Sequence, residues 1–559
     1  MSELAKNLES LFSEYWEHVL EFSPQIAQQV GDSRHARTLA KESLGDYTAR
    51  YESAKTLLAK VNAVDVSLLE KGDVQNHAMM ARELGNIVAD FELSAHLRPG
   101  VYPFSPPMLA AYLLQHSSVL SVQDGLEYVD RLGQVSNFID DHIERYRAGF
   151  KIGYTLPDCL IAPLTKDAEA RVNAPAESCE EIRVLLAKTE QRFEDVRANA
   201  LEVLQDKVKP AQQRWLEFVR NEFANQTTDS LAASDQPDGE RYYQHRIRME
   251  TASDLTPAEI HQLGISEVER IAGAMEEVIK QAGFDGNLKA FQEHLKNDKS
   301  LVAESAEALK AQIEQLSMRI NRRIPEFFGR LPRMTYGVES IPEAAAPGLP
   351  PAYAQPNPPN GKTSGIHWIT SLPEKAPRYM HIPLALHEAW PGHLMHIALL
   401  QEQEHLPAFR RYGALNYISY IEGWALYCER LGHDMGLYDD PLDAYGHLDM
   451  EMWRACRLVV DTGIHYKSWT RDQAITFLRD RTSLPEATIE SEVDRYIGLP
   501  AQALSYKIGE LKIRELRERA ETTLGDNFSL RELHDQLIGC GAVAMDVLDN
   551  HIQEWLSVA

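Results

Sequence analysis

The chain has 559 residues, with 57 Lys plus Arg against 83 Asp plus Glu and a formal charge of −26. A surface of that sign repels phosphate backbones and anionic lipid, so nucleic acid and membranes are set aside as partners, and acids spread along the whole chain serve solubility. The length exceeds what one small core needs, which leaves room to bury a deep site.

The amino-terminal segment MSELAKNLESLFSEYWEHVLEF reads as an amphipathic helix, without the basic start, apolar run and small-residue cleavage site of a signal peptide. No uninterrupted apolar stretch is long enough to span a membrane. Five cysteines (Cys159, Cys179, Cys428, Cys456 and Cys540) are scattered, odd in number and free of CxxC spacing, so neither a disulfide framework nor a cysteine zinc site is indicated. A reducing cytoplasm is the expected location.

Most of the sequence runs at helical period, notably over 1–235 and 400–559. One segment shows the grammar clearly: Thr256 can cap, Pro257 suits the first helical position, and Glu259 completes a capping box. Ile260, Leu263, Val268, Ile271, Met275 and Val278 then line one face until Gly283. Strand signals are few, and 333–338 and 365–371 are the best of them. The expected fold class is therefore mainly α, a large helical body with a deep cleft and a small β element near the candidate metal site. Residues 1–240 are expected to form one wall of the cleft and 241–559 to carry the chemistry, within one continuous body.

The compositional break is 341–365, IPEAAAPGLPPAYAQPNPPNGKTSG, read as a long loop that acts as a cleft wall or lid, or as inert surface. Its Gly361-Lys362-Thr363 invites a phosphate-loop reading, but the glycine required five residues earlier is Pro356 and no buried strand leads in. A nucleotide site is rejected.

The informative segment follows at 381–400, HIPLALHEAWPGHLMHIALL, which is an HExxH string with two residues inserted. In HExxH two histidines one turn apart bind Zn²⁺ from one face, and the adjacent Glu polarises the attacking water. Here His387 and His393 are the candidate ligands and Glu388 the base. At about 100° per residue these histidines project about 120° apart on a regular helix, so the helix must deform. Pro391 lacks an N–H and Gly392 tolerates unusual dihedrals, which supplies the break. A rival pair, His393 with His396, shares a face without distortion but leaves Glu388 unexplained.

A third ligand is available in YISYIEGWALYCER, where Glu422 interrupts an apolar face and would be costly to bury without a partner. Glu429, two turns on, is placed to orient a ligand histidine, with a surface ion pair as the alternative. Arg457, Asp461 and His465 then follow at i,i+4 steps along one helical face. In that row Asp461 could fix the tautomer of His465, and His465 could donate to the oxyanion formed when water attacks a peptide carbonyl. The other reading is a salt-bridge ladder. Tyr506 and Lys507 follow a Pro-marked turn and are candidates for binding a substrate carboxylate or stabilising the transition state, with a solvent-facing Lys as the alternative; Arg457 is a further candidate for binding substrate.

HEAWPGH at 387–393, EGWALYCE at 422–429, RLVVDTGIHYKSW at 457–469 and LPAQALSYKIGE at 499–510 together resemble the bacterial family catalogued as domain of unknown function 885. The resemblance extends over most of the chain, including DLTPAEIHQLGISEVERI from Asp254. It implies a zincin-like, mostly helical metallopeptidase with His387, His393 and Glu422 as ligands and Glu388 as base. This chain departs where the family commonly continues with a second His and then Leu-Gln, since it has Leu394, Met395 and His396. Many relatives carry an export signal, and none is read here.

The expected function is hydrolysis of peptide bonds in short peptides, dependent on Zn²⁺, with Mn²⁺, Co²⁺ or Fe²⁺ open as substitutes. The alternatives are a zinc hydrolase of a non-peptide amide or ester, and a helical binding protein without activity. Oligomeric state is left open, a homodimer included.

Overall fold

The computed structural model describes residues 3–558 apart from 101–103, 116, 118, 344, 360 and 362. Helices dominate, as expected for the mainly α class. Their starts are written in the sequence: Ser43 with Asp46, Ser121 with Asp124, Thr256 with Glu259 and Thr470 with Gln473 all form reciprocal capping boxes. Among the described residues no helix is long and apolar enough to cross a membrane.

The chain divides into two compact units, Met1–Tyr242 with Ile497–Leu499, and Tyr243–Tyr496 with Pro500–Ala559. The first is helical apart from a two-residue parallel pairing of Leu156–Pro157 with Thr227–Thr228. Its core gathers the aromatic rings of Tyr146, Trp215, Phe218 and Phe223, with Trp215 fully buried. Such rings bury large apolar area at little entropic cost, which suits a bundle of this length.

The second unit carries the motifs. Helix α1 (Pro257–Gln281) begins at the Thr256 cap and packs along α2 (Pro441–Lys467), a helix buried over most of its length. Tyr243, Ile247, Ile260, Leu458, Leu504 and Ile508 form part of the core there. A three-stranded sheet lies in the order β1 (Tyr336–Ser340), β3 (Gly365–Ile369), β2 (Ala352–Gln355), with β1 and β3 parallel and β2 antiparallel to β3. Both strands expected from sequence exist, with shifted ends. The edge strand β2 was not expected: it lies inside 341–365, so that stretch is in part a sheet strand and not simply loop. The phosphate-loop string is only partly visible, because Lys362 lies outside the described residues.

Candidate metal centre

Two helices hold the HExxH-like string. Helix α3 (His381–Glu388) ends at Glu388, and α4 (His393–Gln401) begins at His393. The intervening Ala389, Trp390, Pro391 and Gly392 form a turn, with Trp390–Pro391 in cis. The break expected from the insertion is therefore present. Gly392 is required there by space, because a Cβ would stand 1.9 Å from the His387 carbonyl oxygen. Trp424 fixes the turn from outside, donating its indole N–H to the Pro391 carbonyl at 2.9 Å. Trp424 itself sits on α5 (Ile418–Asp434), the helix that also carries Glu422 and Glu429.

The break brings His387 and His393 edge to face, with ring centroids 4.8 Å apart. Glu422 Oε2 lies 3.4 Å from His387 Nε2 and 3.3 Å from His393 Nε2. One ligand atom from each of the three residues falls within 4.8 Å of the others. A tetrahedral ion with bonds of about 2.0–2.1 Å sets its donors about 3.3–3.4 Å apart, so the two carboxylate–imidazole spacings fit a zinc-like ion. Glu422 Oε2 is buried without a hydrogen-bond partner, which a cation would also satisfy.

Behind the histidines, His387 Nδ1 donates to Glu429 Oε1 at 2.8 Å. That contact puts the hydrogen on Nδ1 and leaves the Nε2 lone pair for a ligand bond, the usual carboxylate–histidine arrangement. Glu429 is fully buried; Arg454 approaches the same oxygen at 3.3 Å, and Tyr438 donates to the Glu429 carbonyl at 2.8 Å.

The electrostatics of this group favour a positive charge at its centre. Burial opposes a charged His387, but the neighbouring carboxylates of Glu422 and Glu429 outweigh it and push the imidazole up to about 9. Burial raises Glu422, yet His393 and His387 hold it well below the usual carboxylate range. Glu388, half-buried beside the ligands, is raised, mainly by burial against the pull of His387 and His393. Such a carboxyl is better suited to accept and return a proton than an ordinary surface glutamate.

Tyr506 joins this neighbourhood. It begins helix α6 (Ser505–Leu524), which crosses α5 where Gly423 meets Gly509, one turn beyond Tyr506 and next to Glu422. Burial raises the phenol, and the Glu422 carboxylate raises it further. Arg457 stacks on the Tyr506 ring at 4.3 Å and pairs with Glu492 at 3.0 Å.

Other candidates are drawn to different partners. His396 is fully buried against Tyr420 and Trp424, outside the His–His–Glu group, and burial lowers it to about 3. Asp461 accepts from the Tyr243 hydroxyl at 2.6 Å and the Ala501 N–H, and burial raises it to about 7. His465 is buried, its Nε2 bonded to the Tyr496 carbonyl at 2.9 Å, and burial lowers it to about 4. The i,i+4 row of Arg457, Asp461 and His465 thus turns outward to residues of other segments. Lys507 is 0% exposed and lies 2.7 Å from Glu451, 2.8 Å from Glu510 and 3.0 Å from Glu267, an ion cluster with no surface to offer a substrate. Sequence reasoning missed Arg454 and Trp424; the Trp inside the EGW string was the available signal for the latter.

A comparison with curated proteins finds no match. Among solved structures, a protein of Colwellia psychrerythraea described as a candidate lipoprotein aligns over 100% of both chains at 27% identity with a TM-score of 0.94. A candidate lipoprotein of unknown function from Shewanella oneidensis aligns over 100% of both chains at 15% identity and a TM-score of 0.74, a likeness of fold alone. The model of the family "Bacterial protein of unknown function (DUF885)" matches residues 24–552, so this chain, with its motifs and its His–His–Glu group, belongs to that family.

Proposed function

We propose that this chain is a metal-dependent, zincin-like hydrolase of peptide bonds in short peptides, with His387, His393 and Glu422 as ligands of Zn²⁺. The observation that carries the reading is the pair of 3.3 and 3.4 Å spacings around Glu422 Oε2, the separations a tetrahedral ion imposes on its donors. When bound, such an ion acts as a Lewis acid on the scissile carbonyl and makes water a nucleophile near neutral pH.

The residues of the chain supply the rest. Glu429 fixes His387 in the tautomer that presents Nε2. Glu388, raised by burial and adjacent to a ligand, takes the proton of the attacking water and returns it to the leaving amine. Tyr506, kept as the phenol by burial and by Glu422, donates its O–H to the oxyanion. His465, the other residue considered for that step, is bonded to a backbone carbonyl and is a weaker choice. For location we retain the cytoplasm, on the free cysteines; lipid attachment, the character given to both relatives, is the alternative that cell fractionation decides.

A digest of a peptide library read by mass spectrometry tests the reaction. Zinc-loaded protein should cut short peptides, and Glu388→Gln should keep its metal while hydrolysis falls by about 10²–10⁴. Unchanged turnover in that variant would remove Glu388 from the mechanism.

A further inference from the structure

Arg457 is 4% exposed, yet its Nη1 has no hydrogen-bond acceptor among the described residues. Its other nitrogens are used: Nη2 reaches Glu492 Oε2 at 3.0 Å, and Nε donates to the Tyr496 hydroxyl at 3.0 Å. Glu492 is shared, since Arg495 donates to it through Nε at 3.0 Å and Nη2 at 2.8 Å, and the Tyr496 hydroxyl donates at 2.7 Å. Two guanidiniums therefore lean on one carboxylate. Glu492 has little acceptor capacity left for Arg457 Nη1, and Asp461, the other acid that acts on Arg495, accepts from Tyr243 and Ala501 instead.

Aromatic rings frame the guanidinium without completing it. The Trp453 centroid lies 4.5 Å away and that of Tyr506 4.3 Å away. Cation–π contact supports the charge through the faces of the group but gives its N–H edge nothing to bond. A carboxylate completes such an edge in plane, by charge-assisted hydrogen bonds.

Position ties this feature to the metal centre. Arg454, one helical turn before Arg457 on α2, holds Glu429 behind His387. Tyr506, which covers Arg457 and is itself half-buried, starts the helix that crosses beside Glu422.

We propose that Arg457, framed by Trp453 and Tyr506, receives the free α-carboxylate of a short peptide, so that the chain acts near the C-terminal end of its substrates. The cleavage part rests on the hydrolase reading above; the binding part does not.

Calorimetry separates the two. The full chain, with chelator present so that no peptide is cut, is titrated with tetra-alanine, with its C-terminal amide, and with an amide carrying one internal glutamate. The free acid should bind about ten- to hundredfold more tightly than either amide, the range of a hydrogen bond to a charged group. A folded Arg457→Lys variant should lose most of that preference. Equal affinity for acid and amide, no binding of either, a glutamate amide that matches the free acid, or a preference unmoved by Arg457→Lys each overturns the subsite. If Arg457→Lys does not fold, the comparison of acid and amide on the native chain still decides. Acid-selective binding without hydrolysis by zinc-loaded protein would remove the hydrolase reading and leave the subsite; hydrolysis without acid selectivity would do the reverse.

Discussion

Gly423 of α5 and Gly509 of α6 touch backbone to backbone: a Cβ on Gly423 would stand 2.5 Å from Gly509 Cα, and one on Gly509 would stand 1.9 Å from the Ser419 carbonyl oxygen. The crossing sets Glu422 beside Tyr506, so the candidate ligand and the candidate oxyanion donor depend on the same close approach. Gly509→Ala should push the helices apart, at a cost of at least about 1–3 kcal/mol, and should weaken zinc binding with it. Denaturant unfolding with and without zinc checks this; a variant with native stability would contradict the crossing.

Glu429 acts on the metal through His387. Glu429→Gln removes the carboxylate that receives the Nδ1 hydrogen and that pairs with Arg454. The expected loss is about 10–100-fold in zinc affinity, measured by competition with a chromogenic chelator. An unchanged affinity would make Glu429 a purely structural acid.

The pH dependence follows from His387, whose imidazole stands at about 9 against an ordinary 6.5. A raised folded value means that the protonated imidazole stabilises the metal-free protein fully below about 6.5, and that this contribution is lost as pH rises towards 9. Zinc competes with that proton, so its stabilising effect should grow over the same window. Thermal unfolding with zinc and with chelator at several pH values reads both trends. A gain from zinc that shrinks between pH 6.5 and 9 would contradict the assignment of His387.

Lys507 is assigned to architecture. Its Nζ faces Glu267, Glu451 and Glu510, while Arg270 and Arg514 lie against the same carboxylates. Lys507→Met should destabilise the fold by about 3–5 kcal/mol, because buried carboxylates lose their central cation. Urea unfolding measures it, and a folded variant with native stability but weakened peptide binding would restore the substrate role first expected for this residue.

Local signals were legible because they act over a few residues. Thr256, Pro257 and Glu259 announced a helix that begins where they stand, and the Trp390-Pro391-Gly392 insertion announced a break that is present. Glu422 stood out as a carboxylate on an apolar face, and it reaches both histidines. What the sequence hid was set by distant partners. The strand β2 lies among prolines and owes its pairing to β3, more than ten residues on. Arg457, Asp461 and His465 share the spacing of a hydrogen-bonded row, but Glu492, Tyr243 and Tyr496 compete for them, and no periodicity reveals those neighbours. Lys507 read as free to bind substrate because its three carboxylate partners come from two other helices and from further along its own.

The central claim, a metal centre of His387, His393 and Glu422, is tested most directly by metal analysis of protein purified without chelator. The expected result is about one equivalent of zinc, or of another divalent transition metal, per chain, lost in His387→Ala and in Glu422→Ala. Substoichiometric metal in the native chain that added zinc does not correct, or full metal retained in both variants, would contradict it.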